Sequence, residues 1–173
     1  MATKSLITTI FTMMTFATFS QSDEFKLTDG KFTIDSVLTT PEGNATELYN
    51  KAMVWFSKDF PQLNSNVIST KDANNTIIAT NKAYIPMPIY RNQYGYIDYT
   101  VTVSFRDGKY KYTLTSGDKW YTSSGFDKVD LNELSRKDKK IHKDSKSIII
   151  SFFNALSNSF HRHMGDKGRN KDW

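Results

Sequence analysis

Residues 97–114 read Ile97-Asp98-Tyr99-Thr100-Val101-Thr102-Val103-Ser104-Phe105-Arg106-Asp107-Gly108-Lys109-Tyr110-Lys111-Tyr112-Thr113-Leu114, and this stretch decides the architecture. Apolar and polar residues alternate on both sides of Asp107-Gly108, the period of a strand with one buried face. Asp-Gly is favoured in a two-residue turn in which both positions take positive φ, and such a turn pairs Arg106 with Lys109. That register sets Phe105 against Tyr110, Val103 against Tyr112 and Val101 against Leu114, so every large apolar side chain falls on one side of the ribbon. A slip of one residue would mix the faces. The opposite side carries Asp98, Thr100, Thr102, Ser104, Lys111, Thr113 and Thr115, a composition suited to a solvated sheet face.

Upstream, Phe32 and Ile34 alternate with Thr33 and Asp35, which predicts a strand continuing to about Leu38 and closed by Pro41-Glu42-Gly43. Asn44 precedes Glu47 by three, the spacing of a capping box, so a helix is expected from Ala45 to Phe60. Its stripe Leu48, Tyr49, Ala52, Met53, Phe56 and Phe60 faces a core, Trp55 lies beside that stripe, and Pro61 ends the helix. Val67–Thr70 and Thr76–Ala83 read as two short strands joined by a turn at Asp72–Asn75. Pro86 and Pro88 then place Tyr84–Tyr90 at an edge or in a loop, because neither proline donates to a ladder.

Downstream, 116–144 is polar and charge-rich, yet Trp120, Tyr121 and Phe126 imply that it contains small elements of its own, with one capped helical turn at Asp130–Leu134. A last helix is expected from Ser145 to Met164, capped by Asp144 or Ser145, stopped by Gly165, and lying across the sheet on Ile149, Phe152, Phe153, Leu156 and Phe160.

The first 22 residues hold Lys4 and an apolar run of 14 residues with five threonines, ending on Ser20 and Ser22. A bilayer span needs about 20 mostly apolar residues, so the run reads as a secretory leader cut near Ser20 to Ser22. The expected organisation is a leader over 1–22, a single α+β domain over 23–165 and a frayed tail over 166–173. The expected location is the periplasm or the extracellular side, with no transmembrane segment left after cleavage. At 173 residues with no cysteine, the chain is long enough for one core without staples, since about 150 residues already bury about 68–70% of their extended surface. The missing thiols exclude disulfides, thiolate nucleophiles, Cys-ligated zinc and iron–sulfur clusters.

Signatures of common enzymes are missing too: there is no GxGxxG, P-loop, HExxH, GxSxG or EF-hand loop. His161 and His163 lie about 200° apart around a helix axis and cannot clasp one metal; with His142 they read as surface residues. No catalytic, cofactor-binding or metal-binding residue is therefore assigned. The charge of +5 and pI near 9.2 do not point to nucleic acid, because basic and acidic residues are interspersed and the one dense knot is Arg136–Lys140.

The order of strand, capped helix with Glu47-Leu48-Tyr49, Ala52 and Trp55, short strands, and hairpin with Arg106-Asp107-Gly108-Lys109-Tyr110-Lys111-Tyr112 resembles an exported Bacteroidetes family, the domain-of-unknown-function 4468 family with a TATA-binding-protein-like fold. The likeness covers roughly Phe32 to Leu114. It implies a β-α-β-β-β-β-α unit, an antiparallel sheet with two helices packed on one face, and no function or site residue. Such a fold does not by itself imply DNA binding, and the exposed face has threonines where DNA-kinking proteins carry apolar wedges.

The functional expectation is a non-enzymatic envelope domain that binds a peptide, glycan or protein through the bare sheet face and Tyr84, Tyr90, Tyr94 and Tyr96, since aromatic side chains of low entropy suit recognition. Two alternatives stand beside it. One is an enzyme with its site in the 116–144 loop, using Asp118, Asp127, Glu133 or His142. The other is an assembly subunit that pairs through an open sheet edge.

Overall fold

The computed structural model describes residues 26–28, 30–40, 43–60, 66–70, 75–87, 93–122, 128–136 and 140–165. The leader, the tail, Tyr90, Pro88, Phe126 and Asp127 lie outside the described residues.

The hairpin forms as its alternation dictates. β5 (Gln93–Arg106) and β6 (Lys109–Ser116) pair Phe105 with Tyr110, Val103 with Tyr112 and Val101 with Leu114. The turn differs from expectation in one respect: Gly108 has positive φ but Asp107 does not. Tertiary contacts set it. Asp107 Oδ1 accepts from the Ala45 amide at 2.8 Å, the Gly108 amide donates to the Gly43 carbonyl at 3.0 Å, and the Thr40 amide donates to the Gly108 carbonyl at 2.9 Å. The turn is thus docked onto the start of α1 (Ala45–Lys58), where the capping box between Asn44 and Glu47 is complete. Three acceptors converge on amides that a helix leaves unpaired at its N-terminus.

β2 (Lys31–Thr39) runs antiparallel to β6, and β4 (Thr76–Met87) to β5. With β1 (Lys26–Thr28) and β3 (Asn66–Thr70) the order across the sheet is β1-β2-β6-β5-β4-β3. β7 (Lys119–Thr122) continues along β5 beyond the end of β6, and β8 (Lys128–Asp130) pairs with β7. The sheet therefore has eight strands, more than the five of the expected unit. Between β6 and β7 four residues, 117–120, stand opposite two of β5, 97–98, a bulge that re-aims the strand. α2 (Leu131–Arg136) follows β8, with Asp130 Oδ1 accepting from the Asn132 amide.

α3 (Lys140–Met164) begins five residues earlier than its apolar stripe suggests. Ser145 is fully buried inside the helix, five residues past its start; the first turn, Lys140-Ile141-His142-Lys143, holds a single apolar residue, too few for hydrophobic spacing to register. Gly165 ends the helix with φ 73. α1 and α3 pack together on the apolar face, and Phe160 of α3 touches the rings of Trp55 and Phe56 from α1 and of Tyr110 and Tyr112 from β6 at centroid distances of 5.0–6.0 Å. Trp55 is wholly buried, its Nε1 donating to Ser159 Oγ at 3.2 Å. Among the described residues no helix is long and apolar enough to cross a membrane.

Candidate binding surface

Strand alternation turns Thr33, Asp35, Lys111, Thr113, Thr102 and Thr80 away from α1 and α3, to a side of the sheet where each keeps part of its surface exposed. At one end this bare face changes character. Pairing places Tyr84 of β4 opposite Tyr96 of β5, and β7 brings Tyr121 up on the other side of Tyr96. Tyr96 and Tyr121 stack, centroids 5.2 Å apart and planes within 17°; Tyr84 leans against Tyr96 at 5.9 Å and 47°. Tyr94 follows two residues away on the same face, opposite Pro86. Tyr84 is 42% and Tyr94 61% exposed, high values for side chains that usually gain from burial.

The ladder exists because Gly95 has no side chain. A Cβ there would overlap Met87 Sδ and the Tyr121 carbonyl oxygen, so only glycine lets β7 close against β5 at this point. Lys82 completes the row: its Nζ lies 4.0 Å from the centre of the Tyr96 ring and 3.6 Å from Asp98 Oδ1. Both groups are well exposed, so the ion pair contributes at most about 1 kcal/mol. Beside it lies a depression of about 440 Å³ bordered by Lys31, Thr80, Lys82, Asp98, Thr100 and Thr115, within the range of about 300–1,000 Å³ of small-ligand clefts.

On the covered face the polar groups are locked into the core. His161 is 4% exposed, which corrects its reading as a surface residue: Tyr110 Oη lies 3.0 Å from its Nδ1, Ser157 Oγ 3.0 Å from its Nε2, and Ser36 Oγ 3.5 Å from the latter. A polar ring can sit there because each nitrogen finds a hydroxyl. His163 is half-buried and bonds the Lys51 carbonyl oxygen through Nε2 at 3.0 Å. Burial pushes the Tyr99 phenol above the ordinary tyrosine range, an effect eased by the neighbouring Asn81 amide.

Residues 35–117 match the family model described as a domain of unknown function (DUF4468) with TBP-like fold. This segment is similar to the DUF4468 family. Two solved structures share the architecture: a TBP-like protein from Parabacteroides distasonis ATCC 8503, 16% identical, covering 81% of this chain and 96% of its own with a TM-score of 0.63, and a DUF4468 family protein from Bacteroides ovatus ATCC 8483, 15% identical, covering 79% and 90% with a TM-score of 0.54. At that identity the likeness is one of fold. No curated protein matches the sequence.

The matched segment contains Lys82, Tyr84, Tyr94, Tyr96 and Asp98, while Lys31 and Tyr121 lie outside it. Of the four tyrosines expected to act together, Tyr84, Tyr94 and Tyr96 share one face. Sequence reasoning missed Tyr121 and Lys82, and placed Asp98 on the bare face without pairing it with Lys82. The signal for Tyr121 was present: Lys119-Trp120-Tyr121-Thr122 alternates like a strand, but a four-residue strand after a bulge is too short to declare itself. The alternative acidic site does not assemble among the described residues. Asp118 is exposed on the bulge with Lys119 Nζ 3.9 Å away, Glu133 is exposed on α2, and no group of three or more His, Asp and Glu side chains gathers where it could hold a metal ion.

Proposed function

We propose that this chain is a non-enzymatic binding module of the bacterial envelope, and that its ligand surface is the bare sheet face where Tyr84, Tyr94, Tyr96 and Tyr121 adjoin the depression. The observation that carries the reading is the aromatic ladder itself. A sheet whose remaining bare face is largely threonine, serine and charged residues leaves four tyrosines uncovered at one end, two of them more than 40% exposed, next to a concavity with polar walls. Such a combination of rigid ring edges and hydroxyls is what recognition surfaces use.

Peptide, glycan and protein ligands selected on arrays provide the test. Bound ligand is expected to shift amide resonances of 80–87, 94–100 and 119–122, and Tyr84→Ser with Tyr94→Ser is expected to weaken it. Shifts confined to α1 and α3, or unchanged affinity in the double variant, would overturn the assignment.

A second reading rests on the sheet edge. β3 covers β4 only from Thr76 to Thr80, so the outer side of 81–87 has no strand beside it among the described residues. A second copy pairing there would make the chain an assembly subunit. Solution mass measured at two concentrations separates the two: a constant monomer removes this reading.

A further inference from the structure

Hydroxyl groups and two ammonium groups dominate the depression beside the ladder. Thr80, Thr100 and Thr115 form one cross-strand row over β4, β5 and β6. Lys82 and Asp98 face each other in the next row, and Lys31 enters from the start of β2. Lys82 is engaged twice, by the Asp98 carboxylate and by the Tyr96 ring. Lys31 is exposed and has no ion-pair partner among the described residues. The walls therefore carry one positive charge in excess, set among hydroxyls, and Lys82 joins them to the Tyr96 ring.

A complementary ligand offers one anionic group for Lys31, neighbouring hydroxyls for the threonines and Asp98, and an apolar ring flank for Tyr84 and Tyr94. We propose that the depression takes a segment of an acidic glycan, a chain of sugar rings bearing carboxylates, with one carboxylate on Lys31 Nζ and the sugar edge toward the tyrosine ladder. The assignment rests on the binding-module reading and narrows it.

Two other polymers fit less well. A peptide in extended form gains most from an unpaired strand edge, whereas here β4, β5 and β6 are paired with one another through the floor of the depression. A single-stranded nucleic acid asks for a track of several uncompensated cations and for free ring faces. Inside the depression Lys31 is the one cation without an ion-pair partner among the described residues, exposed Lys128 standing apart from it opposite Tyr121, and Tyr96 is flanked by Lys82 from β4 and by Tyr121 from β7.

The test is titration of the whole chain, by calorimetry and by amide chemical shifts, with oligogalacturonate, oligoguluronate and hyaluronate fragments, their carboxyl methyl esters, oligogalactose, and poly(dT). At least one acidic glycan is expected to bind and to shift residues around 31, 80–84 and 96–100. Its methyl ester is expected to bind about tenfold more weakly, the effect of losing one charge-assisted hydrogen bond. Lys31→Ala should bring the acid down to the level of the ester and leave the ester unchanged, and Lys31→Arg should restore the acid. Thr100→Val, chosen because it keeps the strand shape, should weaken acid and ester alike.

Equal binding of acid and ester overturns the proposal. So does poly(dT) binding as tightly with the same dependence on Lys31, and so does a panel in which no acidic glycan binds. In that last case a ligand from the arrays that still shifts β4, β5 and β7 leaves the binding-module reading standing, whereas an acidic glycan that binds but maps to the helical side overturns both.

Discussion

Two aromatic clusters occupy opposite faces of one sheet, and they differ in what holds them. Around Phe160 the rings of Trp55, Phe56, Tyr110 and Tyr112 meet edge-on, tilted or stacked under two helices and are wholly or almost wholly buried. Around Tyr96 the rings of Tyr84 and Tyr121 also meet at near van der Waals range, but no described helix packs on them and the Lys82 ammonium is the group set over the Tyr96 ring. The first cluster is held by apolar surface removed from water, which dominates stability. The second is held by cross-strand pairing and a single cation, each contributing about 0.2–1 kcal/mol. Similar ring geometry on one side therefore supports the fold and on the other leaves surface available to a ligand.

The comparison can be broken most forcefully at its covered side. Phe160→Ala is expected to lower the unfolding free energy in urea by about 3–5 kcal/mol; a loss below about 1 kcal/mol would mean that the helices do not seal this face. Gly95→Ala ranks next. The added methyl must displace Met87 and the β7 backbone, so about 1–3 kcal/mol should be lost, together with the Tyr96–Tyr121 contact, visible as altered ring chemical shifts at Tyr121. A variant with unchanged stability and shifts would show that β7 does not depend on this close approach.

Tyr99 sharpens the contrast through pH. Its phenol is buried, and burial holds the folded-state pKa above the ordinary range. Above about pH 10 an unfolded tyrosine ionises while the folded one resists, so the unfolded state binds fewer protons and stability falls with rising pH. The stabilising preference is intact below pH 10 and lost above it. Tyr99→Phe should consequently leave stability near pH 7 within about 1 kcal/mol and make the decline between pH 10 and 11.5 shallower; an unchanged decline would place the alkaline sensitivity on other tyrosines. The smallest effect belongs to the uncovered side, where Tyr84→Ser is expected to cost less than about 1 kcal/mol. A loss comparable to that of Phe160→Ala would make the ladder a structural element rather than a recognition surface.

The hairpin was legible in the sequence because strict alternation on either side of Asp107-Gly108 admits one register, and α1 was legible from Asn44, Glu47 and its stripe. The helical face and the bare face follow from that pattern alone. What the sequence hid is tertiary. His161 carries no mark that distinguishes a surface imidazole from one enclosed by Tyr110, Ser157 and Ser36, because its partners arrive from β2, β6 and α3. The backbone of Asp107 was misjudged because its carboxylate is drawn to Ala45, 62 residues away in sequence. Three tyrosines of the bare face were identified by type and proximity along the chain; Tyr121 depends on a bulge at 117–120 that local propensity does not specify.

The contact between the hairpin tip and the start of α1 also bears on how the molecule assembles. A hairpin closes in about 1–10 μs, but its tip is gripped only once it meets Thr40, Gly43 and the first turn of α1, contacts that span 62 residues in the case of Asp107 and Ala45. Removing the grip with Asp107→Ala is accordingly expected to speed unfolding while leaving refolding nearly unchanged. That pair of rates would mark the tip as a latch closed after the main barrier, one whose release precedes the loss of the sheet.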